Sequence, residues 1–428
     1  MTKQASPETS VVWSSLVPAS HSTSIADSQI AVGAQGVYVE MKDGRNLLCA
    51  TSGLWNVALG YGNTAVADAI TGSLHSASYL TLFRSTHAYA TDAARALLDF
   101  VCGDFDRVIF STSGGSANDA VMKLARHFWI LRSDPQRRII IGLEGSYHGT
   151  TYGSHALSGD DLHQATYGLD RRSIRHVPYD DGGEKLAALM AREGHRIAAI
   201  VLEPVLGSGA VELPDAFLAE VIRLRERYGF LMIADEVATG FYRTGRAFAS
   251  QAWPVSPDIL ILSKALTNGT CAASAILVAP AVSAEFGNQG ATFVHGETQA
   301  GTPQSCAAIV ATLAEMERLE IAEKTSRLAV ELGTVVERIA ELPTVDRVTG
   351  RGCMRGIYLK SRLGEPLTPT QIGAVVGSIR DAGAIVQPGP SCIQLLPPLI
   401  FQRQHLEELE SALREGIMQI EQWDDVDA

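Results

Sequence analysis

Phe230-Leu-Met-Ile-Ala-Asp-Glu236 and Asp258-Ile-Leu-Ile-Leu-Ser-Lys264 decide the fold. Each holds a short continuous apolar run without period-two alternation, which predicts a strand covered on both faces, and each ends in charge. Similar runs stand on either side, at Val108 to Ser111, Arg138 to Leu143, Ile197 to Leu202 and Ser274 to Val278. Helix-period segments lie between them: Ala117, Val121, Leu124 and Phe128 mark one apolar face, and Phe217, Val221, Leu224 and Tyr228 another. From about Thr64 to Val278 this alternation predicts an α/β fold, a parallel sheet with helices on both faces. After Pro303 the pattern changes to long helices (Ser305 to Glu317, Ile321 to Leu342) and strand-like pieces around Cys353 to Leu359, Gly383 to Val386 and Ile393 to Leu396. The expected division is a large domain over 64–304, a smaller α+β domain over 305–428, and an N-terminal segment, 1–63, that packs with the smaller domain.

Composition narrows the function. With 428 residues, 46% of them hydrophobic, the chain can bury a large core in two or three domains. A formal net charge of -12, with no Lys/Arg-rich block to offset it, argues against nonspecific binding to nucleic acid or an anionic membrane. Cysteines 49, 102, 271, 306, 353 and 392 are dispersed with no Cys-x-x-Cys pair, so neither a zinc site nor a disulfide framework is expected. The polar stretch Met1 to Ser10 lacks a signal pattern, and no apolar run reaches membrane-spanning length. A soluble protein of a reducing cytoplasm is the expectation.

In open parallel sheets ligands gather at the carboxyl ends of the strands, where the polar groups cluster here. A Lys ending a buried strand is costly unless its amine is neutral or chemically engaged, and a Schiff base with pyridoxal phosphate meets that condition. Lys264 would hold the cofactor and, once released, act as the base that moves the proton. Asp235 would pair with the pyridine nitrogen and keep it protonated. The alternative for Lys264 is a structural side chain snorkelling outward. Ser113-Gly-Gly-Ser116 follows a strand and opens a helix, so its backbone NH groups could hold a phosphate; an ordinary capped turn reads the same way. Tyr147, in Glu144-Gly-Ser-Tyr-His-Gly149, could stack on a flat ring or simply pack. Glu203 ends another apolar strand, as a site carboxylate or as a loop cap.

Taken together, FSTSGGSANDAVMKLAR from Phe110, Tyr147-His148-Gly149, Glu203-Pro204-Val205, IADEVATGFYRTG from Ile233, PDILILSKALTNGT from Pro257 and HGETQAGTPQSCAA from His295 resemble the class III aminotransferases. These are pyridoxal-phosphate enzymes of fold type I, and the resemblance runs from about Trp13 to the last helix. Nearest in motifs are diaminopelargonate aminotransferase and the ω-amine transaminases. The resemblance implies a large domain on a mainly parallel seven-stranded sheet plus a smaller C-terminal domain. It implies cofactor contacts from Gly114, Gly115, Ser116, Tyr147, His148, Glu203, Asp235, Val237 and Lys264, with Tyr147 and Val237 on opposite ring faces. Thr298 would reach the phosphate of a neighbouring subunit, which requires a homodimer with shared active sites, with tetramers as a further option. Trp55 matches a substrate-pocket aromatic, or is plain core.

Departures from the family bear on the substrate. Many class III members hold a substrate carboxylate with an Arg of the C-terminal domain, since guanidinium binds it in bidentate fashion. Here Gln387 and Gln394 stand at the two positions where different members carry that Arg, and Ser208 stands where ornithine-type members keep its Glu partner. Arg84 would be a relocated anion site, or a surface Arg. The expected reaction is ping-pong transfer of an amino group from a small-molecule donor to a carbonyl acceptor that lacks the usual carboxylate: an amine or ketone, an amino sugar-like or polyketide-derived carbonyl, or a peptide end, as in the daptide-type aminotransferases. The same Lys and Asp would also serve a racemase, aminomutase or decarboxylase. Retention of Lys264, Asp235, Tyr147 and Thr298 argues against a non-enzymatic relative.

Overall fold

A computed structural model describes residues 11–18 and 25–422. Its centre is a seven-stranded sheet in the order Arg107–Ser111, Ser274–Val278, Ile259–Leu262, Leu231–Asp235, Ile197–Leu202, Ile139–Leu143, Ile174–Val177. Ser274–Val278 runs antiparallel to both neighbours, and the other pairings are parallel. The three central strands are buried at every residue, which is why their sequences do not alternate. Successive residues still separate. Ile140, Val201, Ile233 and Ile261 join the core under helix Gly114–Leu131, while Ile141, Ile200, Leu202 and Met232 join the core under helix Asp215–Tyr228. Phe217 anchors the second layer with no exposure, and such a burial stabilises by about 2–3 kcal/mol.

The six expected strands lie within one residue of their observed bounds. The seventh, Ile174–Val177, has no apolar run because it is an edge strand with a single partner, and Arg175 and His176 stay half-exposed.

The chain beyond Pro303 forms helices Pro303–Arg318 and Ile321–Ala340 and an antiparallel sheet in the order Val345–Arg351, Met354–Leu359, Cys392–Leu395, Gln387–Gly389. Val345–Arg351 escapes sequence reading because most of it is polar and open to solvent. Ala384–Ile385 instead extends the N-terminal sheet, pairing in parallel with Asn46–Cys49. One apolar core joins Leu48 and Leu59 to Leu260, Ile309, Ile357 and Leu395, so the N-terminal segment is wedged between the two halves. Asn268 pins it by accepting from Leu59 N (2.8 Å) and donating to Gly60 O (3.0 Å).

Candidate active site

A cavity of about 420 Å³ opens at the carboxyl ends of the central strands. Trp55, Gly114, Gly115, Tyr147, His148, Glu203, Asp235, Val237 and Lys264 all line it, brought together from widely separated stretches of the chain. Ser116, Thr298, Arg84, Gln387 and Gln394 do not. The Ser116 hydroxyl turns to Ser113, whose Oγ caps the helix by accepting from Ser116 N at 3.1 Å. Thr298 and Arg84 are exposed. Gln387 and Gln394 face each other across strands, and Gln394 donates to Gly207 O at 2.5 Å. The Ser208 hydroxyl donates to Asp160 Oδ2 at 2.6 Å.

The adjacent acids Asp235 and Glu236 separate by their partners. Asp235 is 3% exposed and faces the cavity. Its Oδ2 accepts from Asn118 Nδ2 and pairs with His148 Nδ1, each at 2.8 Å, and its Oδ1 accepts from Val237 N at 3.1 Å. Glu236 turns away and accepts from Thr239 Oγ1, Ala249 N and Ser250 N, so it braces the following loop. Its burial raises its pKa. Among the described residues, neither acid pairs with Lys or Arg. Burial pulls the His148 imidazole down, but its hydrogen bond to Asp235, that charge and the more distant Glu203 leave it above its ordinary value.

Lys264 follows Ser263 directly and takes a left-handed φ of +49°, a strained conformation for a residue with a side chain. The Ser263 hydroxyl holds the turn by donating to Ala273 O at 2.8 Å. The Lys264 ammonium sits 4.2 Å from the centre of the Trp55 ring. Burial lowers its pKa to about 8; Glu203 and Asp235 oppose the shift and Arg243 adds to it. Trp55 ends a run of four left-handed residues, Ser52 to Trp55. A Cβ on Gly207 would lie 3.1 Å from the indole and 3.2 Å from Glu203 Oε1, so a side chain there would press the ring outward by a few tenths of an ångström. Glu203 accepts from Tyr147 N (2.8 Å) and Gly207 N (3.0 Å), and burial pushes its carboxyl up to about 7.

Sequence reasoning missed two members of this group. Asn118 lies on the apolar face of its helix beside Val121, Met122 and Ala125, and a polar residue on such a face is the signal that could have found it. Arg243 is 2% exposed and, among the described residues, pairs with no carboxylate. It donates to Pro397 O (2.5 Å), Cys353 O (3.3 Å) and Ser52 Oγ (3.2 Å), which ties the C-terminal strands to the Trp55 segment, and burial lowers its pKa to about 10.

The sequence profile described as Aminotransferase class-III matches residues 22–417. This chain is a class III aminotransferase. Such enzymes depend on pyridoxal 5′-phosphate and move an amino group from a donor to an acceptor. The chain is 32% identical over 387 residues to the acetylornithine aminotransferase of Mycolicibacterium smegmatis, covering 89% of this chain and 92% of that one. It is 29% identical over 416 residues to the putrescine–pyruvate aminotransferase of Pseudomonas aeruginosa, covering 92% and 91%. Among solved structures, the ω-transaminase of Pseudomonas jessenii in complex with PMP superposes with a TM-score of 0.87 at 26% identity, over 92% of this chain and 93% of that one. No group of three or more metal-ligating side chains occurs among the described residues of this aminotransferase, and none of its described helices is long and apolar enough to cross a membrane.

Proposed function

We propose that this aminotransferase works on an amine or ketone that is not anchored by a carboxylate-binding Arg, with Lys264 and Asp235 at the centre of the chemistry. The observation that carries the substrate reading is the cavity wall: among the described residues no arginine lines it, and Gln387 and Gln394, which stand outside it, are neutral, with Gln394 held by Gly207 O. The names of relatives support an amine, since one is a putrescine–pyruvate aminotransferase and another an ω-transaminase engineered for bulky amines.

The residues present fit pyridoxal 5′-phosphate. Gly114 and Gly115 open a helix whose first NH groups suit a phosphate, and a Cβ on Gly114 would come 3.0 Å from Val237. Asp235 is a buried carboxylate at hand for a protonated ring nitrogen, and Tyr147 and Val237 line the same cavity. When bound, the cofactor supplies an aldehyde that takes up the amino group and a ring that draws electron density from the substrate carbon. Lys264 Nζ would hold it and would carry the proton, which its lowered pKa suits. Trp55 lies over the amine, 4.2 Å from ring centre to Nζ. Glu203 holds the Tyr147 backbone in place.

A second copy of the chain would complete the site through Thr298. Tyr79, Leu80, Phe83 and Val294 are 42%, 39%, 55% and 78% exposed, and Tyr79 donates to Thr298 O at 3.0 Å, so this loop presents an apolar face suited to burial in a homodimer. Six free thiols support a reducing compartment such as the cytoplasm.

The test is a panel of donors in matched pairs, with and without an α-carboxylate, scored by product mass with wild type and Gln387→Arg. The amine member of each pair is expected to react faster with wild type. Faster reaction of the carboxylated member throughout would overturn the reading.

A further inference from the structure

Asn118 has no solvent exposure, yet its side chain is held entirely as a donor. Nδ2 lies 2.8 Å from Asp235 Oδ2, 3.2 Å from His148 O and 3.1 Å from Gly114 O. Oδ1 is buried and has no partner among the described residues. Reversing the amide would aim its carbonyl at three oxygens, so the orientation is dictated by those acceptors. The acceptors belong to three different parts of the site: the ring-nitrogen carboxylate, the loop carrying Tyr147, and the glycine turn that opens the helix. His148 Nδ1 reaches the same Oδ2 at 2.8 Å. Oδ1 of Asp235 accepts from Val237 N at 3.1 Å and keeps capacity for another donor.

We propose that Asn118 is a positioning residue of the transamination reaction: with His148 it occupies Asp235 Oδ2, and so assigns Oδ1 to the protonated ring nitrogen of the cofactor. This rests on the role of Asp235 proposed above. Two partners on Oδ2 fix the plane of the carboxylate and leave Oδ1 facing the place of the ring nitrogen, and an acceptor oriented in this way is what holds a proton on that nitrogen. The same amide holds the glycine turn and the Tyr147 loop at a set distance from that carboxylate, which keeps the two ends of the ring in register.

The test uses the holoenzyme loaded with cofactor carrying 15N in its ring. In wild type the nitrogen is expected to give a pyridinium shift that persists to pH 9. Asn118→Ala is expected to lose that shift within the same range and to weaken cofactor binding about 10- to 100-fold, the usual consequence of removing a hydrogen bond to a buried charge. A residue that merely filled space would change binding without changing the protonation of the nitrogen. Wild-type shift and affinity in Asn118→Ala overturn the inference. Should that variant not fold, the wild-type holoenzyme crystal structure decides: a ring nitrogen on Oδ1 with Asn118 and His148 on Oδ2 supports it, and a ring nitrogen on Oδ2 overturns it. Asp235→Asn separates the two levels, because an unchanged nitrogen signal there overturns the role of Asp235 itself.

Discussion

Replacing Glu203 by Gln should make the pH dependence of stability shallower, by an amount the structure sets. Glu203 is 4% exposed, and its carboxyl is pushed up from 4.5 to about 7 by burial, with Asp235 adding and His148 and the NH groups of Tyr147 and Gly207 opposing. For an acid whose folded pKa exceeds its unfolded one, the stability present below pH 4.5 is lost as pH rises through 7. The full loss is about 3 kcal/mol at roughly 1.4 kcal/mol per unit, of which about 2–3 kcal/mol falls between pH 5 and pH 8. Gln does not titrate, so the variant escapes this loss. It instead turns an NH₂ group toward either Tyr147 N or Gly207 N, and one unpaired buried donor costs about 1–3 kcal/mol at every pH. The substitution is therefore unfavourable at low pH and neutral to favourable at high pH. Urea denaturation of the cofactor-free chain should find the Glu203→Gln variant less stable than wild type at pH 5, with the difference moving in the variant's favour by about 2–3 kcal/mol at pH 8. A gap that stays constant across the range refutes the reasoning, since Glu203 would then not titrate in that window.

Uptake of pyridoxal 5′-phosphate by the cofactor-free chain needs a neutral Lys264 amine, so its rate should rise with pH through about 8 rather than 10.5; rapid-mixing absorbance reads the midpoint, and Lys264→Ala should abolish covalent uptake. In Arg243→Met the carbonyls of Pro397 and Cys353 lose their donor, which should cost about 2 kcal/mol in urea denaturation, and the uptake midpoint should move to higher pH because the Arg243 charge helps hold the Lys264 amine down. Gly149→Ala would place a Cβ 2.6 Å from Gly115 Cα at a φ of +117°, and the displaced glycine turn should weaken cofactor affinity by roughly tenfold or more in an equilibrium titration.

What the sequence discloses depends on how many neighbours a residue answers to. Ile197–Leu202, Leu231–Asp235 and Ile259–Leu262 are buried on both faces, so every position must be apolar or small and the strand is legible from composition alone. Ile174–Val177 and Val345–Arg351 answer to water on one side, and their Arg and His residues erase the pattern. The chemical end of each central strand was legible for the same reason: charge where apolar residues should continue has to be explained. That Asp235 and not Glu236 belongs to the site could be read from the sequence, but the partners that separate the two acids could not, because Asn118, His148, Ala249 and Ser250 lie far apart in the chain. Gln387 and Gln394 could be read as neutral, but their cross-strand pairing and the hold of Gly207 on Gln394 arise only from register.

The left-handed run Ser52 to Trp55 shows how the N-terminal segment becomes part of the chemistry. Such backbone is costly and persists only where surrounding contacts over-determine it. Here Ser52 supplies them: its hydroxyl donates to Leu396 O at 2.7 Å and accepts from Arg243 at 3.2 Å. Leu396 lies just past the C-terminal strand carrying Gln394, while Arg243 follows the strand that ends in Asp235, so Ser52 joins the C-terminal sheet to the large one directly beside the indole. Trp55 then sits against both Lys264 and the glycine loop after Glu203. The Ser52 to Leu396 hydrogen bond is the contact that ties the C-terminal sheet to the segment carrying this ring. The N-terminal segment thus links the C-terminal sheet to the cavity through Ser52 and Trp55, while among the described residues no member of that sheet lines it.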